Sequence, residues 1–309
     1  MSEIRDVYTL SSPMSLPEGV AFDAKTRRFF ATGLLGGQIT QIDADTGVET
    51  LFHQNEGDAL QFSGAKVDAL RRRLWVCGSD ISVPRGGVSV FDVDSGALLH
   101  HFPLVAGGIC NDVCLDAAGA AYVTDSFQPV IFRADLETRS SSEFVRDPQM
   151  AAPMGQFGLN GIDITPDGTH LIAGFTSPSK LFLIPLTVRG AVQEIALSGD
   201  PFAIPGDRQF TGADGIAFID ETLYVVNDGG VQAVRFSGRN YSAGRVKNAP
   251  APEPGLTTAT VVDGELYVIK SEVVHAMHMR QPPRLPFKIY RFPLSAFAHP
   301  PGHVSTAPA

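Results

Sequence analysis

The chain returns six times to one strand pattern, and that repeat limits its fold more than any other feature. Each repeat opens with a short strand that begins on an acid or small polar residue. A turn follows, then an apolar strand that usually holds an aromatic, then a polar loop and another alternating strand. The second strands read Phe29-Phe30-Ala31-Thr32, Leu74-Trp75-Val76-Cys77 and Ala121-Tyr122-Val123-Thr124 in the first half. Leu171-Ile172-Ala173-Gly174, Leu223-Tyr224-Val225-Val226 and Leu266-Tyr267-Val268-Ile269 complete the set. Third strands follow as GQITQID, GVSVFDV, PVIFRAD, KLFLIPL, VQAVRFS and FKIYRFPL. Period-two alternation, β-branched and aromatic enrichment and Gly/Asp/Pro turns mark strands throughout, with no convincing amphipathic helix.

Repeats of this size with four strands each read as propeller blades, and a blade cannot bury both faces of its sheet alone. The expected fold is all-β, a single six-bladed β-propeller over residues 1–309. Its blades fall at about 16–55, 62–103, 109–147, 158–198, 212–248 and 255–294. The last repeat carries only three strands after Gly255, while Ile4 to Leu10 is an orphan strand ahead of the first repeat. That N-terminal strand is predicted to close the last blade and remove an open edge. A two-sheet sandwich would not explain the regular spacing.

Aligning the repeats on their second strands places Glu18, Ser63, Asn111, Asn160, Asp214 and Thr257 at the starts of the six first strands. First strands line a propeller's channel, so these side chains should ring one of its ends. Glu18, Asn111, Asn160 and Asp214 offer two carboxylates and two amide carbonyls. Such hard oxygen donors suit Ca²⁺ first, with Mg²⁺, Mn²⁺ or Zn²⁺ as alternatives, and the expected cofactor is one divalent cation. A strand-start Asn or Asp also commonly bonds turn backbone, but four at equivalent positions of different blades point to a shared ligand.

Composition narrows the partners. A formal charge of −9 argues against nucleic acid and anionic membrane, leaving a small-molecule substrate as the expected partner. The run Arg71, Arg72, Arg73 reads as an exposed hairpin turn. Cys77, Cys110 and Cys114 form no disulfide or zinc pattern and are expected to be small buried hydrophobes. The start MSEIRDVYTL lacks a secretory signature and no stretch reaches membrane-spanning length, so the expected location is the cytoplasm.

The segments Leu16-Pro17-Glu18-Gly19-Val20, Asn111-Asp112-Val113, Asn160-Gly161-Ile162 and Ala213-Asp214-Gly215-Ile216 resemble the metal-ligand motifs of the regucalcin/gluconolactonase family. That family shares its ring with diisopropylfluorophosphatase and the paraoxonases. The resemblance implies a six-bladed propeller that uses a divalent ion, often calcium, to hydrolyse lactones and related esters. It implies Glu18, Asn160 and Asp214 as direct ligands, Asn111 as ligand or substrate contact, and Asp214 as general base or nucleophile. Sugar-lactone members place an arginine two residues before the third-blade Asn. Here that position is Ile109, which points to a substrate less polar than a sugar lactone.

Loops joining second to third strands should open on the metal end, because first strands start there. They run from Thr32 to Gly37, Gly78 to Gly87, Asp125 to Val130, Gly174 to Lys180, Asn227 to Gly230 and Ser271 to Pro286, with His53 to Phe62 on the same rim. The loop from Ser271 to Pro286 is the longest and offers His275 and His278 as acid–base groups beside Val274, Met277 and Met279. Asp125 and Asp228 end second strands near the mouth. With Ser63, Ile109, Thr257, His275 and His278 they complete the expected substrate-binding set. The function expected is metal-dependent lactone or ester hydrolysis. The alternatives are a synthase, isomerase or cyclase on the same ring, and a binding propeller with a structural ion.

Overall fold

The computed structural model describes residues 4–12, 15–55, 60–80, 82, 85–104, 107–187, 191–204, 212–273, 275–276 and 280–297. It is a six-bladed β-propeller. Strand β1 (Val7–Leu10) comes first. The first blade holds β2 (Pro17–Asp23), β3 (Arg28–Gly33), β4 (Gln38–Asp43) and β5 (Glu49–Gln54). The second holds β6 (Gln61–Asp68), β7 (Arg73–Asp80), β8 (Arg85–Asp92) and β9 (Leu98–Pro103). The third holds β10 (Cys110–Leu115), β11 (Ala121–Asp125), β12 (Val130–Asp135) and β13 (Ser140–Arg146). The fourth holds β14 (Leu159–Ile164), β15 (His170–Phe175), β16 (Lys180–Pro185) and the two-residue β17 (Gln193–Glu194).

After β17 the chain departs from the expected blade boundary. Ile195 turns into the core, and β18 (Ala196–Gly199) crosses to the fifth blade, where it pairs in parallel with β22 (Ala243–Pro250). The fourth blade therefore ends ahead of residue 198, and β18 covers an outer edge that would otherwise be open. Inside it lie β19 (Ile216–Ile219), β20 (Thr222–Asn227) and β21 (Gly230–Phe236). The sixth blade is β23 (Leu256–Val262), β24 (Glu265–Lys270) and β25 (Phe287–Phe292), with β1 as its fourth strand. Val7 pairs with Tyr290 and Leu10 with Phe287, so the N-terminal strand closes the ring as expected. Tyr8 points inward and donates its hydroxyl to Ala44 O at 2.6 Å.

Second strands are apolar without interruption because both their faces are buried. Phe29 packs with Tyr8 and Tyr267 between the sixth and first blades, while Phe30 packs with Leu74 and Val76 between the first and second. Trp75, one residue beyond Leu74, faces the third blade with Val113 and Val123. The same alternation sends Leu171 and Ile172, and Leu223 and Tyr224, to opposite interblade layers. Burial of this kind contributes about 25 cal/mol per Å² of apolar surface, so the interblade layers are the main stabilising feature.

Two expectations change. Arg71, Arg72 and Arg73 are not a solvated run: Arg71 pairs with Asp68 at 3.2 Å, and Arg73 reaches Glu137 of the third blade at 2.7 Å. Arg72 grips Asp23 of the first blade with two bonds of 2.7 and 2.8 Å and also meets Asp94. Cys77 and Cys110 form a disulfide, with Cα atoms 5.2 Å apart, because β7 and β10 pack face to face across the second and third blades. Their separation of 33 residues conceals that proximity in the sequence. Cys114 is a buried free thiol, as expected. Among the described residues, no helix is long and apolar enough to cross a membrane.

Candidate metal centre and substrate cavity

The six ring positions share one backbone device. Glu18, Ser63, Asn111, Asn160 and Thr257 each lie where the register of the innermost strand slips against its neighbour, a β-bulge. Asp214 occupies the same place just before β19, its N–H held by Val226 O at 2.9 Å. The bulge frees the side chain to face the channel and turns the carbonyl toward an adjacent blade.

All six of those carbonyls are taken by the preceding blade. Thr32 Oγ1 donates to Ser63 O at 2.6 Å, Ser63 Oγ to Asn111 O at 2.8 Å, and Thr124 Oγ1 to Asn160 O at 2.6 Å. Gly161 N donates to Asp214 O at 3.0 Å and Gly215 N to Thr257 O at 2.9 Å. Thr257 Oγ1 then returns to Glu18 O at 2.8 Å. Glycine follows Asn160 because a Cβ on Gly161 would collide with Asp214 O. The floor of the site is thus a closed hydrogen-bonded ring, and such a floor presents preorganised ligands.

Glu18, Asn111, Asn160 and Asp214 line one cavity of about 270 Å³ above this ring. Burial, and then the neighbouring carboxylates of Asp214 and Asp112, push the Glu18 pKa well above the carboxylate range. Asp214 is raised for the same reasons, burial first and Asp112 next, while a hydrogen bond from Asn160 opposes the shift. Asp112, beside Asn111, is held at about 6, chiefly by burial. Glu18 Oε2 is shielded from solvent and has no hydrogen-bond partner in the protein. A crowd of enclosed carboxylates with one orphaned oxygen is the environment a hard cation relieves. Among the described residues, no three His, Cys, Asp or Glu side chains are grouped so that they could hold a metal ion, so a cation here would depend on the two Asn amides.

Each blade also sends one residue from its rim to the cavity: Leu34, Ser79, Phe127, Thr176, Asp228 and Val273. The loops between second and third strands therefore open on the ligand end, as chain direction required. Ile109, Phe157 and Leu256 add apolar wall, and Gln61 adds an amide whose buried Oε1 has no hydrogen-bond partner within the protein. Sequence reasoning missed Gln61 and Phe157. Their signal was position, two and three residues ahead of ring residues, as Ile109 is ahead of Asn111.

The expected substrate contacts divide. Ser63, Ile109, Asp228 and Thr257 line the cavity, although the Ser63 and Thr257 hydroxyls are spent on the ring. Asp125 does not line it. It is fully buried, and its Oδ1 accepts from the N–H groups of Ile109, Phe127 and Gln128 at 2.9, 2.9 and 3.0 Å. His275 is likewise turned away, its Nδ1 lying 3.2 Å from Glu272 Oε2 at the foot of the long loop. Glu272 is buried and also holds Lys270 at 3.1 Å and Arg284 at 2.8 Å. His278, with Val274, Met277 and Met279, lies outside the described residues.

No protein-family model matches this chain. No curated protein matches it in sequence. Solved structures do match in shape. The major allergen Mala s 1 of Malassezia sympodialis superposes with a TM-score of 0.77 at 17% identity, over 97% of this chain and 100% of that one. A luciferin-regenerating enzyme matches with a TM-score of 0.66 at 12% identity, over 92% and 94% of the two chains. Regucalcin from Agrobacterium tumefaciens strain C58, described as a calcium-binding protein, gives 0.63 at 18% identity, over 93% and 94%. At these identities the likeness establishes a shared propeller fold, the one that the ring motifs led us to expect.

Proposed function

We propose that this protein is a divalent-metal-dependent hydrolase of a lactone or related ester less polar than a sugar lactone. One observation carries the reading: four oxygen donors from four blades face an apolar-walled cavity, on a floor whose backbone is closed by hydrogen bonds. Glu18, Asn111, Asn160 and Asp214 would hold the ion, and calcium is favoured by the all-oxygen donor set. A bound divalent cation supplies Lewis-acid polarisation of a carbonyl oxygen. Asp214 would take the proton of the attacking water, and a hydrogen bond from Asn160 to its carboxylate supports that role. Leu34, Ile109, Phe127, Phe157, Leu256 and Val273 exclude bulk water around the scissile bond. The Cys77–Cys110 bond favours an oxidising compartment over the cytoplasm.

The test is turnover of a panel of lactones and aryl esters, with and without chelator, by wild type and Asp214→Asn. Chelator-sensitive hydrolysis that disappears in the variant is the expected result. Tight binding of calcium without hydrolysis of any panel member would transfer the site to a non-hydrolytic reaction or to a structural ion.

A further inference from the structure

The apolar wall between the third and fourth blades is held in place by groups that do not themselves line the cavity. Phe127 lines the cavity, is 37% exposed, and stands 5.3 Å from Phe157, ring to ring, at an interplanar angle of 49°. Neither ring is placed there by burial in the core. Asp125 instead fixes the backbone on both sides: one carboxylate oxygen takes the N–H groups of Ile109 and Phe127 together. Ser126 ties the same loop to the segment carrying Phe157, since its N–H donates to Ile109 O and its carbonyl accepts from Gly158 N, both at 2.9 Å. Its hydroxyl adds a bond to Leu159 O at 2.8 Å. Asp125 does this at an energetic disadvantage. It is fully buried, and its Oδ2 has no partner.

A buried carboxylate spent on a surface loop signals that the loop's geometry matters more than its stability. Two tilted phenyl rings, 5.3 Å apart in the lining of one cavity, stand at a separation at which aromatic rings pair. We infer that Ile109, Phe127 and Phe157 form a preorganised subsite for a planar aromatic group next to the substrate's carbonyl, and that Asp125 is its positioning residue. The inference rests on the reading of this cavity as the substrate site and names the substrate class, an aryl lactone or ester.

The experiment measures binding of two non-hydrolysable ketones of one carbon skeleton, aromatic α-tetralone and saturated α-decalone, by calorimetry in the presence of calcium. Wild type is expected to bind α-tetralone about two- to tenfold more tightly, the range an aromatic pair adds beyond its buried area. Phe127→Leu and Phe157→Leu should each bring the two affinities together with an unchanged melting temperature. Asp125→Ala should also bring the two affinities together, at a lower melting temperature, and Asp125→Asn, which keeps one acceptor oxygen, should restore the preference. Equal affinities in wild type, or a preference that survives both Phe substitutions, would overturn the inference. If the preference appears while no ester of the panel is hydrolysed, the aromatic subsite stands and the hydrolase reading falls.

Discussion

Thr257 donates its hydroxyl to the backbone carbonyl of Glu18 at 2.8 Å, across 239 residues of sequence. The bond closes the inner ring at the point where the chain itself is open. It also fixes the peptide of a proposed metal ligand. The outer closure, made by β1 on β25, and this inner one hold the same joint at opposite ends of the sixth blade.

Removing the inner closure should therefore weaken the whole ring. Thr257→Val keeps the shape of a buried side chain but leaves the Glu18 carbonyl without its donor, at a cost of about 1–3 kcal/mol. Urea denaturation checks the loss. Thr257→Ser retains the donor and should recover most of it; a Val variant as stable as wild type would show that the bond contributes nothing.

Stability of the metal-free protein should fall as pH rises. Burial pushes Asp112 up to about 6 in the folded protein against an ordinary value of 3.8, and it raises Glu18 and Asp214 well above the carboxylate range. In that window the native state binds more protons than the unfolded chain, so stability is full below the ordinary value and is lost as pH passes the folded one. With chelator present, the thermal midpoint should be lower at about pH 7.5 than at about pH 4.5, and calcium should raise it more at the higher pH, because ligands bind deprotonated. Glu18→Gln should shrink both effects.

The Asp23–Arg72 pair predicts the opposite behaviour in acid. Burial pulls the Asp23 pKa upward, but two hydrogen bonds from Arg72, with help from Thr26, outweigh it and hold the carboxyl at about 2. This contribution is present above the ordinary value of 3.8 and is lost as pH falls toward 2. Asp23→Ala leaves Arg72 with Asp94 as its remaining carboxylate partner and should cost about 1–3 kcal/mol at neutral pH. Denaturant titrations at neutral and acid pH should show the gap between variant and wild type closing in acid.

Thiol counting tests the disulfide. Denatured without reductant, the chain should react at one cysteine, Cys114, and at three after reduction. The bond closes a loop of 33 residues, and the chain-entropy estimate for that length is about 3–4 kcal/mol of stability. Three reactive thiols without reductant would show that Cys77 and Cys110 are not bonded.

Much of this molecule was legible in its residues. Strand identity, sixfold repetition and the closing strand follow from alternation and spacing, which are local properties. The set Glu18, Asn111, Asn160 and Asp214 follows as well, because equivalent positions in a repeat must come to equivalent places around the axis. The rim loops were legible as a class, and Leu34, Phe127, Thr176, Asp228 and Val273 all fall inside or beside them.

What the tertiary structure alone decided concerns which neighbours the blades bring together. Asp125 and His275 look like cavity groups by position, yet one is turned to three backbone N–H groups and the other to Glu272. Cys77 meets Cys110, and β18 leaves its own repeat to pair with the next. The physical reason is one of range. Period and spacing specify where a side chain sits along its strand and around the axis. Hydrogen-bond partners are set by distances of about 3 Å between segments dozens of residues apart, and these exist only once the blades have packed.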